Sequence, residues 1–243
     1  MICLGAISNA AGILIGGIAG LTLRKQPSAA TQGFFKVGLG AFTVYFGLRL
    51  TWMNLDGFSL NTLRLLAIVM LAMTLGKLTG RLLRLQKTSN RIGQFARNEI
   101  GRAMSGKPRR WSDGFNVCTF LFCAAPLAIL GSMTDGLSGY FQPLVVKAVM
   151  DGLATMGFLA MFGWSAAAAA LPLFVFESAI TTACALFAKP FLEQQPALLE
   201  PVNATAGLLI FCVALLIFEI KKIEIADYLP SLVFAPLLAW VWK

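Results

Sequence analysis

The sequence predicts an all-α integral membrane protein that forms a single transmembrane domain over residues 1–243. Apolar residues make up 58% of the chain and charged residues only 13%, whereas a soluble domain has roughly 45–50% and about 25%. The apolar residues occur in long uncharged runs, such as the 21 residues from Gly114 to Thr134. A soluble chain of this length cannot bury so many apolar helices at once.

A helix needs about 20 mostly apolar residues to cross the hydrocarbon core of a bilayer. By this criterion we predict about eight transmembrane helices, with seven to nine compatible with the sequence. The predicted spans are residues 2–23, 33–53, 60–80, 115–134, 143–163, 166–188, 203–219 and 227–242. The first lacks the basic region of a signal peptide, so we expect it to remain as a span.

The distribution of basic residues predicts the sidedness of these spans. With eight spans, fifteen of the twenty Lys and Arg residues fall on one side of the membrane, nine of them between Arg81 and Arg110. The positive-inside rule makes that side cytoplasmic, so both termini are expected to be periplasmic or extracellular. The net charge of +9 is thus a topology signal, and we expect no nucleic-acid partner.

The basic loop, residues 81–113, has an amphipathic pattern. Leu85, Ile92, Phe95 and Ile100 recur at near-helical spacing among basic residues. The pattern predicts either an amphipathic surface helix or a cytoplasmic extension of the third span. In either form, the loop is expected to be attracted to anionic lipid headgroups.

The composition excludes several classes of chemistry. The chain has no histidine, which removes the usual general base near neutral pH and all His-based metal sites. The five cysteines lie in apolar segments without CxxC spacing, so we interpret them as packing residues. No GxxxxGK[ST] motif is present, so ATP bound to this chain would not drive transport. We expect no cofactor, apart from coupling to a monovalent cation or proton, and the sequence leaves metal binding open.

Glycine recurs every four residues in the first span, at Gly12, Gly16 and Gly20. This spacing places three positions without side chains on one helical face, which another helix can approach closely. The partner is either a helix of the same chain or a second copy in a homodimer.

The order of the spans is compatible with an inverted repeat. Spans one to three and spans six to eight have similar lengths and connections, with spans four and five between them. Such a 3+2+3 arrangement gives the two halves opposite topologies, as in many secondary transporters.

A few ionisable residues fall inside the predicted spans, where a charge is costly and indicates function by default. Asp135 closes the fourth span, Lys147 and Asp151 lie in the first two turns of the fifth, and Glu177 is near the middle of the sixth. Lys147 and Asp151 share a helix face at i,i+4 spacing, so they form an ion pair or line a polar cavity. Glu177 is protonated, paired with Lys147 across helices, or part of a proton or cation path.

The fourth span has the features of a broken helix. Pro126 removes a backbone donor, and Gly131 and Gly136 loosen the helix on either side of Ser132 and Thr134. In a broken or re-entrant helix the freed carbonyl and hydroxyl groups bind an ion or substrate. The alternative is an ordinary helix end followed by an Asp-Gly turn.

Four segments resemble the YqgA/YdfK family of bacterial inner-membrane proteins, the domain-of-unknown-function 554 group. They are "NAAGILIGGIAGL" (9–21), "FCAAPLAILGSMTDGLSG" (122–139), "KAVMDGLATMGF" (147–158) and "ADYLPSLVFAPLLAW" (226–240). The resemblance implies a multi-pass helical protein of the bacterial inner membrane and no particular substrate.

Within this resemblance, Asp135-Gly136, Lys147 and Asp151-Gly152 match the family pattern. Glu177 and Asp227-Tyr228 depart from it, so any role for these two acids is particular to this chain.

These features predict a small secondary transporter or channel-like permease for an ion or small solute. Asp135 and Asp151, at the hairpin of spans four and five, would bind a cation, a proton or an amine. One alternative is a non-catalytic scaffold or sensor. Another is an intramembrane aspartyl hydrolase in which the two aspartates share a proton, but the flanking sequences lack the Tyr-Asp and Gly-x-Gly-Asp patterns of such enzymes. We therefore expect the protein not to be an enzyme.

Overall fold

A computed structural model of the chain describes residues 3–23, 28–55, 57, 59–104 and 111–242, and these residues contain helices and no strands. The helices are α1 (Leu4–Leu23), α2 (Ala29–Trp52), α3 (Leu60–Leu82), α4 (Leu85–Met104), α5 (Trp111–Ala124), α6 (Pro126–Ser138), α7 (Gln142–Phe162), α8 (Ser165–Ala168), α9 (Ala170–Ala183), α10 (Lys189–Glu193), α11 (Pro196–Ile217), α12 (Ile225–Tyr228) and α13 (Ser231–Val241). A π-helical turn, Cys184–Ala188, joins α9 to α10. Arg24, Lys25, Lys243 and residues 105–110 of the basic loop lie outside the described residues.

Among the described residues, five helical stretches are long and apolar enough to cross a membrane, or six if the bent pair of α5 and α6 is one span. The five are Leu4–Leu23, Leu60–Leu82, Gln142–Phe162, Ser165–Glu193 and Ala197–Ile217. The stretch Ile225–Val241 is apolar but shorter. The all-helical prediction is confirmed, whereas the count of eight stays a prediction, because it also needs Ile225–Val241 and α2, which carries Lys36 and Arg49.

The glycine stripe of α1 packs against α7 of the same chain. A Cβ atom added at Gly12 or Gly16 would overlap the carbonyl groups of Ala148 and Gly152. Conversely, a Cβ atom on Gly152 would lie 2.6 Å from the Gly12 carbonyl oxygen. The stripe, which ends at Gly20 against Met156, therefore serves contact between helices of one chain.

Two other helix pairs have similarly close contacts. A Cβ atom on Gly47 of α2 would lie 2.7 Å from the Gly207 carbonyl oxygen of α11. On α3, Gly76 packs against the backbone of Ser231, at the start of α13. Small residues thus allow the backbones of α2 and α11, and of α3 and α13, to approach closely.

The basic segment after α3 forms a separate helix. Arg84 has a φ of 57°. Its left-handed backbone conformation interrupts the helix, so the chain changes direction between α3 and α4. The Gln86 backbone N–H donates to Asp227 Oδ1 at 2.8 Å, and the Ala226 N–H donates to Gln86 Oε1 at 3.2 Å. These bonds hold α4 on α12, so α4 is a helix docked at one end of the bundle and not a continuous extension of the third span.

We predict that Gly16→Ala destabilises the fold by about 1–3 kcal/mol, because the added methyl group overpacks the α1–α7 contact. Gly38 is the matched control, since a Cβ atom there has nothing within 4 Å, and Gly38→Ala should be neutral or stabilise by up to about 1 kcal/mol. Unfolding of the purified variants in detergent measures both effects. Equal stability of the two variants would contradict the described packing.

Candidate functional site

The fourth span is broken at Ala125, where α5 and α6 meet at an angle of 56°. Pro126 occupies the first turn of α6, where its missing N–H removes no helical bond. Gly131 and Gly136 remain helical, and α6 ends only at Gly139, whose φ is 67°. The break therefore comes before the polar residues, and the Asp-Gly pair is part of a helix and not a turn.

Three of the predicted site residues meet in the interior of the bundle. Lys147 is 2% exposed and Glu177 is fully buried. The Lys147 ammonium pairs with Asp151 on the same helix and lies 3.7 Å from Glu177 Oε1 on α9. Asn9 of α1 donates to that same Glu177 oxygen at 2.7 Å. These four residues are called the central cluster below.

Several helices position the central cluster. The i,i+4 spacing places Lys147 and Asp151 on one face of α7. Asn9 is three residues before Gly12, so the close α1–α7 contact places its amide beside these charges. The ring of Phe122, on α5, lies 5.9 Å from the Lys147 ammonium, where it provides an apolar wall and a cation–π contact.

The charges of the central cluster do not balance when all three ionisable groups are ionised. One ammonium faces two carboxylates, which leaves a net charge of −1. Glu177 Oε2 and Asn9 Oδ1 are buried and have no hydrogen-bond partner among the described residues. Because an uncompensated charge in an apolar interior is costly, the cluster favours one further positive charge: a proton on a carboxyl group, or a small cation at these oxygens.

Asp135 lies in different surroundings. The Gly5 backbone N–H donates to Asp135 Oδ2 at 3.1 Å. Asp135 also lines an open cleft of about 380 Å³, called the Asp135 cleft below, together with Lys189 and Glu193, which form an ion pair of 3.6 Å. Asp151 does not line this cleft.

Two buried hydroxyl groups belong to residues close in sequence to Asp135 and to Glu177. Gly5, which bonds Asp135, is four residues before Asn9, or about 6 Å along α1. Ser132 is one turn from Asp135 on α6, and Ser178 follows Glu177 on α9. The hydroxyl groups of Ser132 and Ser178 are buried without a hydrogen-bond partner among the described residues.

The remaining predicted site residue is Thr134. Its hydroxyl donates to the carbonyl oxygens of Gly131 and Tyr140, each at 3.0 Å, at the C-terminal end of α6. Thr134 thus stabilises the end of the helix. The described residues include no group of three or more Cys, Asp and Glu side chains that could hold a metal ion.

Sequence reasoning did not assign Asn9 to the site. A signal was present, because Asn9 is an amide in an uncharged apolar span, directly before the glycine stripe. What the sequence could not give was the helix pairing that places α1 against α7 and α9.

Comparisons with known proteins agree with the resemblance seen in the motifs. A family model described as "Protein of unknown function (DUF554)" matches residues 4–240. The chain is 27% identical over 239 residues to the uncharacterised membrane protein YdfK of Bacillus subtilis (strain 168), covering 98% of this chain and 96% of that protein. It is also 27% identical over 243 residues to the uncharacterised protein YqgA of Escherichia coli (strain K12), covering 98% and 97%. No solved structure matches the chain.

We predict that Lys147→Met destabilises the protein by about 3–5 kcal/mol, because it leaves two buried carboxyl groups without their cation. Adding Asp151→Asn and Glu177→Gln to this variant should recover much of the loss. The matched control is Lys189→Met, which removes an exposed i,i+4 pair and should cost about 0.5 kcal/mol or less. Denaturant unfolding in detergent measures all three, and similar losses for Lys147→Met and Lys189→Met would contradict the buried cluster.

Proposed function

The chain belongs to the DUF554 family, whose function is unknown, and we propose that it is a small secondary transporter or channel-like permease for a proton, a monovalent cation or a small cationic solute. The central cluster is its binding site. The observation that carries the proposal is the second carboxylate beside the buried Lys147, together with the unpartnered oxygen of Glu177.

A purely structural ion pair needs only one carboxylate for each ammonium. Asp151 already provides it for Lys147. Glu177 adds a second carboxyl group that is fully buried and has one free oxygen. Ionisable residues inside apolar spans mark ion pathways and proton relays. The two oxygens of the cluster that are unpartnered among the described residues, Glu177 Oε2 and Asn9 Oδ1, suit a proton or a hard cation.

In this mechanism Lys147 acts as an internal competitor for the transported cation. With the site empty, the ammonium is shared by the carboxylates of Asp151 and Glu177. A proton or cation that arrives at Glu177 Oε2 neutralises Glu177, and the ammonium then interacts mainly with Asp151. The bound and empty states thus differ in the contact between α7 and α9. A ligand that binds more tightly to one arrangement of these helices than to the other shifts the protein toward that arrangement.

The Asp135 cleft provides the route into the site. Its acidic side chain attracts cations, and Ser132, one turn from Asp135, and Ser178, next to Glu177, carry buried hydroxyl groups without a partner among the described residues. A buried hydroxyl both donates and accepts hydrogen bonds. It can therefore pass on a proton or replace part of the hydration shell of a cation.

The helix contacts support the inverted 3+2+3 repeat. In this repeat, spans one, two and three are equivalent to spans six, seven and eight. The helices of each equivalent pair pack against each other: α1 on α9, α2 on α11, and α3 on α13. The contact of α7 with α1 has a counterpart in the contact of α6 with α9. Both Asp-Gly glycines lie in these contacts, since Gly152 meets α1 and Gly136 meets Thr181 of α9.

Transport is a better account of the aspartates than hydrolysis. An aspartyl hydrolase needs two carboxyl groups that share a proton. Here the partner of Asp135 is the Gly5 backbone N–H, and the partner of Asp151 is Lys147. Under this proposal the protein lies in the bacterial inner membrane with α4 in the cytoplasm, as the excess of Lys and Arg predicts.

Reconstituted vesicles test the proposal. A pH-sensitive dye inside the vesicles reports proton movement after addition of LiCl, NaCl, KCl or methylammonium chloride, or after a pH jump with valinomycin present. Wild-type protein should raise the flux for at least one condition above that of empty vesicles. Glu177→Gln and Asp151→Asn should reduce it at least about tenfold, as expected when an essential exchanging group is removed.

The matched carboxyl-to-amide control is Glu219→Gln, at an exposed ion pair with Lys36 that lies outside both the central cluster and the Asp135 cleft. This variant should keep the wild-type flux through the site. The proposal fails if wild-type vesicles behave like empty ones under every condition, or if correctly folded Glu177→Gln transports as well as wild type.

A further inference from the structure

A second cleft, of about 570 Å³, lies at the end of the bundle where α4 packs against α3 and α12. Lys77 reaches it from α3, Asn90 from α4, and Lys221 and Lys222 from the segment after α11. Because α4 crosses this end, the walls come from elements far apart in the sequence. This basic cleft is separate from both the central cluster and the Asp135 cleft.

The basic cleft has an excess of positive charge. Its three lysines face a single acid, Glu224, which is also 3.4 Å from Arg81 outside the lining. The Lys77 ammonium lies 5.1 Å from the centre of the Tyr228 ring, which holds it at one wall. Lys221 and Lys222 are exposed at the rim, so an anion there remains close to water.

The polar contacts also favour an anion. Asn90 Oδ1 accepts a hydrogen bond from Gln86 Nε2 at 3.0 Å, and this leaves the Asn90 amide N–H groups as donors. Gln86 Oε1 in turn accepts from the Ala226 N–H. The cleft therefore presents ammonium and amide donors, and the side-chain amide oxygens of Asn90 and Gln86 already accept hydrogen bonds.

The other wall is apolar. Met73 of α3 and Leu209, Cys212 and Leu215 of α11 continue the cleft into the bundle. A free phosphate ion makes no favourable contact with these apolar side chains, whereas the hydrocarbon part of an amphipathic molecule packs against them. The ligand that matches both walls carries a phosphate group and a hydrocarbon chain.

We propose that the basic cleft binds the phosphate headgroup of an anionic phospholipid, with the start of an acyl chain against the apolar wall. Clusters of lysine between transmembrane helices recognise such headgroups. The bound lipid bridges α3, α4 and the segment after α11, so it stabilises the docking of α4. This inference does not depend on the transport proposal.

Thermal unfolding of delipidated protein in a neutral detergent tests the site. The ligands are short-chain phosphatidylglycerol, short-chain phosphatidylcholine and glycerol phosphate. We expect phosphatidylglycerol to raise the unfolding temperature in a saturable way, with smaller shifts for the other two. Lys221→Gln with Lys222→Gln should weaken the apparent affinity for phosphatidylglycerol at least about tenfold, since each lysine near a lipid headgroup attracts its negative charge.

The matched control, Lys87→Gln with Arg97→Gln, also removes two exposed positive charges, from positions on α4 that do not line the cleft. This control should keep the wild-type affinity. The inference is overturned if phosphatidylcholine gives an equal shift, if both double variants lose affinity equally, or if the Lys221/Lys222 variant binds like wild type. An equal response to glycerol phosphate would identify a site for soluble phosphates and would also overturn it.

Discussion

The constraint on which the structure depends is the cost of burying Lys147 in an apolar bundle. An ammonium group that is 2% exposed must be paired, and its two carboxylates come from its own helix and from α9. Asn9 completes the shell from α1. Three transmembrane helices, α1, α7 and α9, are thus held around one positive charge. Because two carboxylates face this single ammonium, one of them has no cation of its own. Structural stability and the proposed ion binding therefore depend on the same residues.

The glycines make this arrangement possible. Gly12 and Gly152 let α1 approach α7, and Gly136 does the same for α6 and α9. In both Asp-Gly pairs the glycine sets the helix separation while the aspartate, one residue earlier, faces a polar partner. The two motifs look alike because the glycine makes the helix contact and the aspartate makes the polar contact in both. The polar partners differ: a backbone N–H for Asp135 and Lys147 for Asp151.

Sequence reasoning reached the helices and the charges but not their pairing. Long apolar runs predict α1, α7 and α11, and the i,i+4 spacing predicts the pair of Lys147 and Asp151. Contact between Lys147 and Glu177 is one of three alternatives that the sequence allows, because the sequence does not say which helix packs on α7.

The position of the break in the fourth span also differs from the expectation. The sequence predicts it near Gly131 and Gly136 as well as Pro126, yet it occurs before Pro126, because glycines in a close helix contact stay helical. For the basic segment the sequence is compatible with two forms, and the left-handed backbone at Arg84 makes α4 a separate helix.

The central claim is that a carboxyl group of the central cluster takes up and releases a further positive charge, either as a proton or by exchanging a proton for a cation. The most direct measurement is labelling of the protein in membranes with a hydrophobic carbodiimide, which reacts with protonated carboxyl groups in apolar surroundings, followed by peptide mass spectrometry. The account predicts modification at Glu177 or Asp151 that decreases as the pH rises, with little at the exposed Glu193. Absence of label from both buried acids, or labelling that does not change with pH, would contradict it.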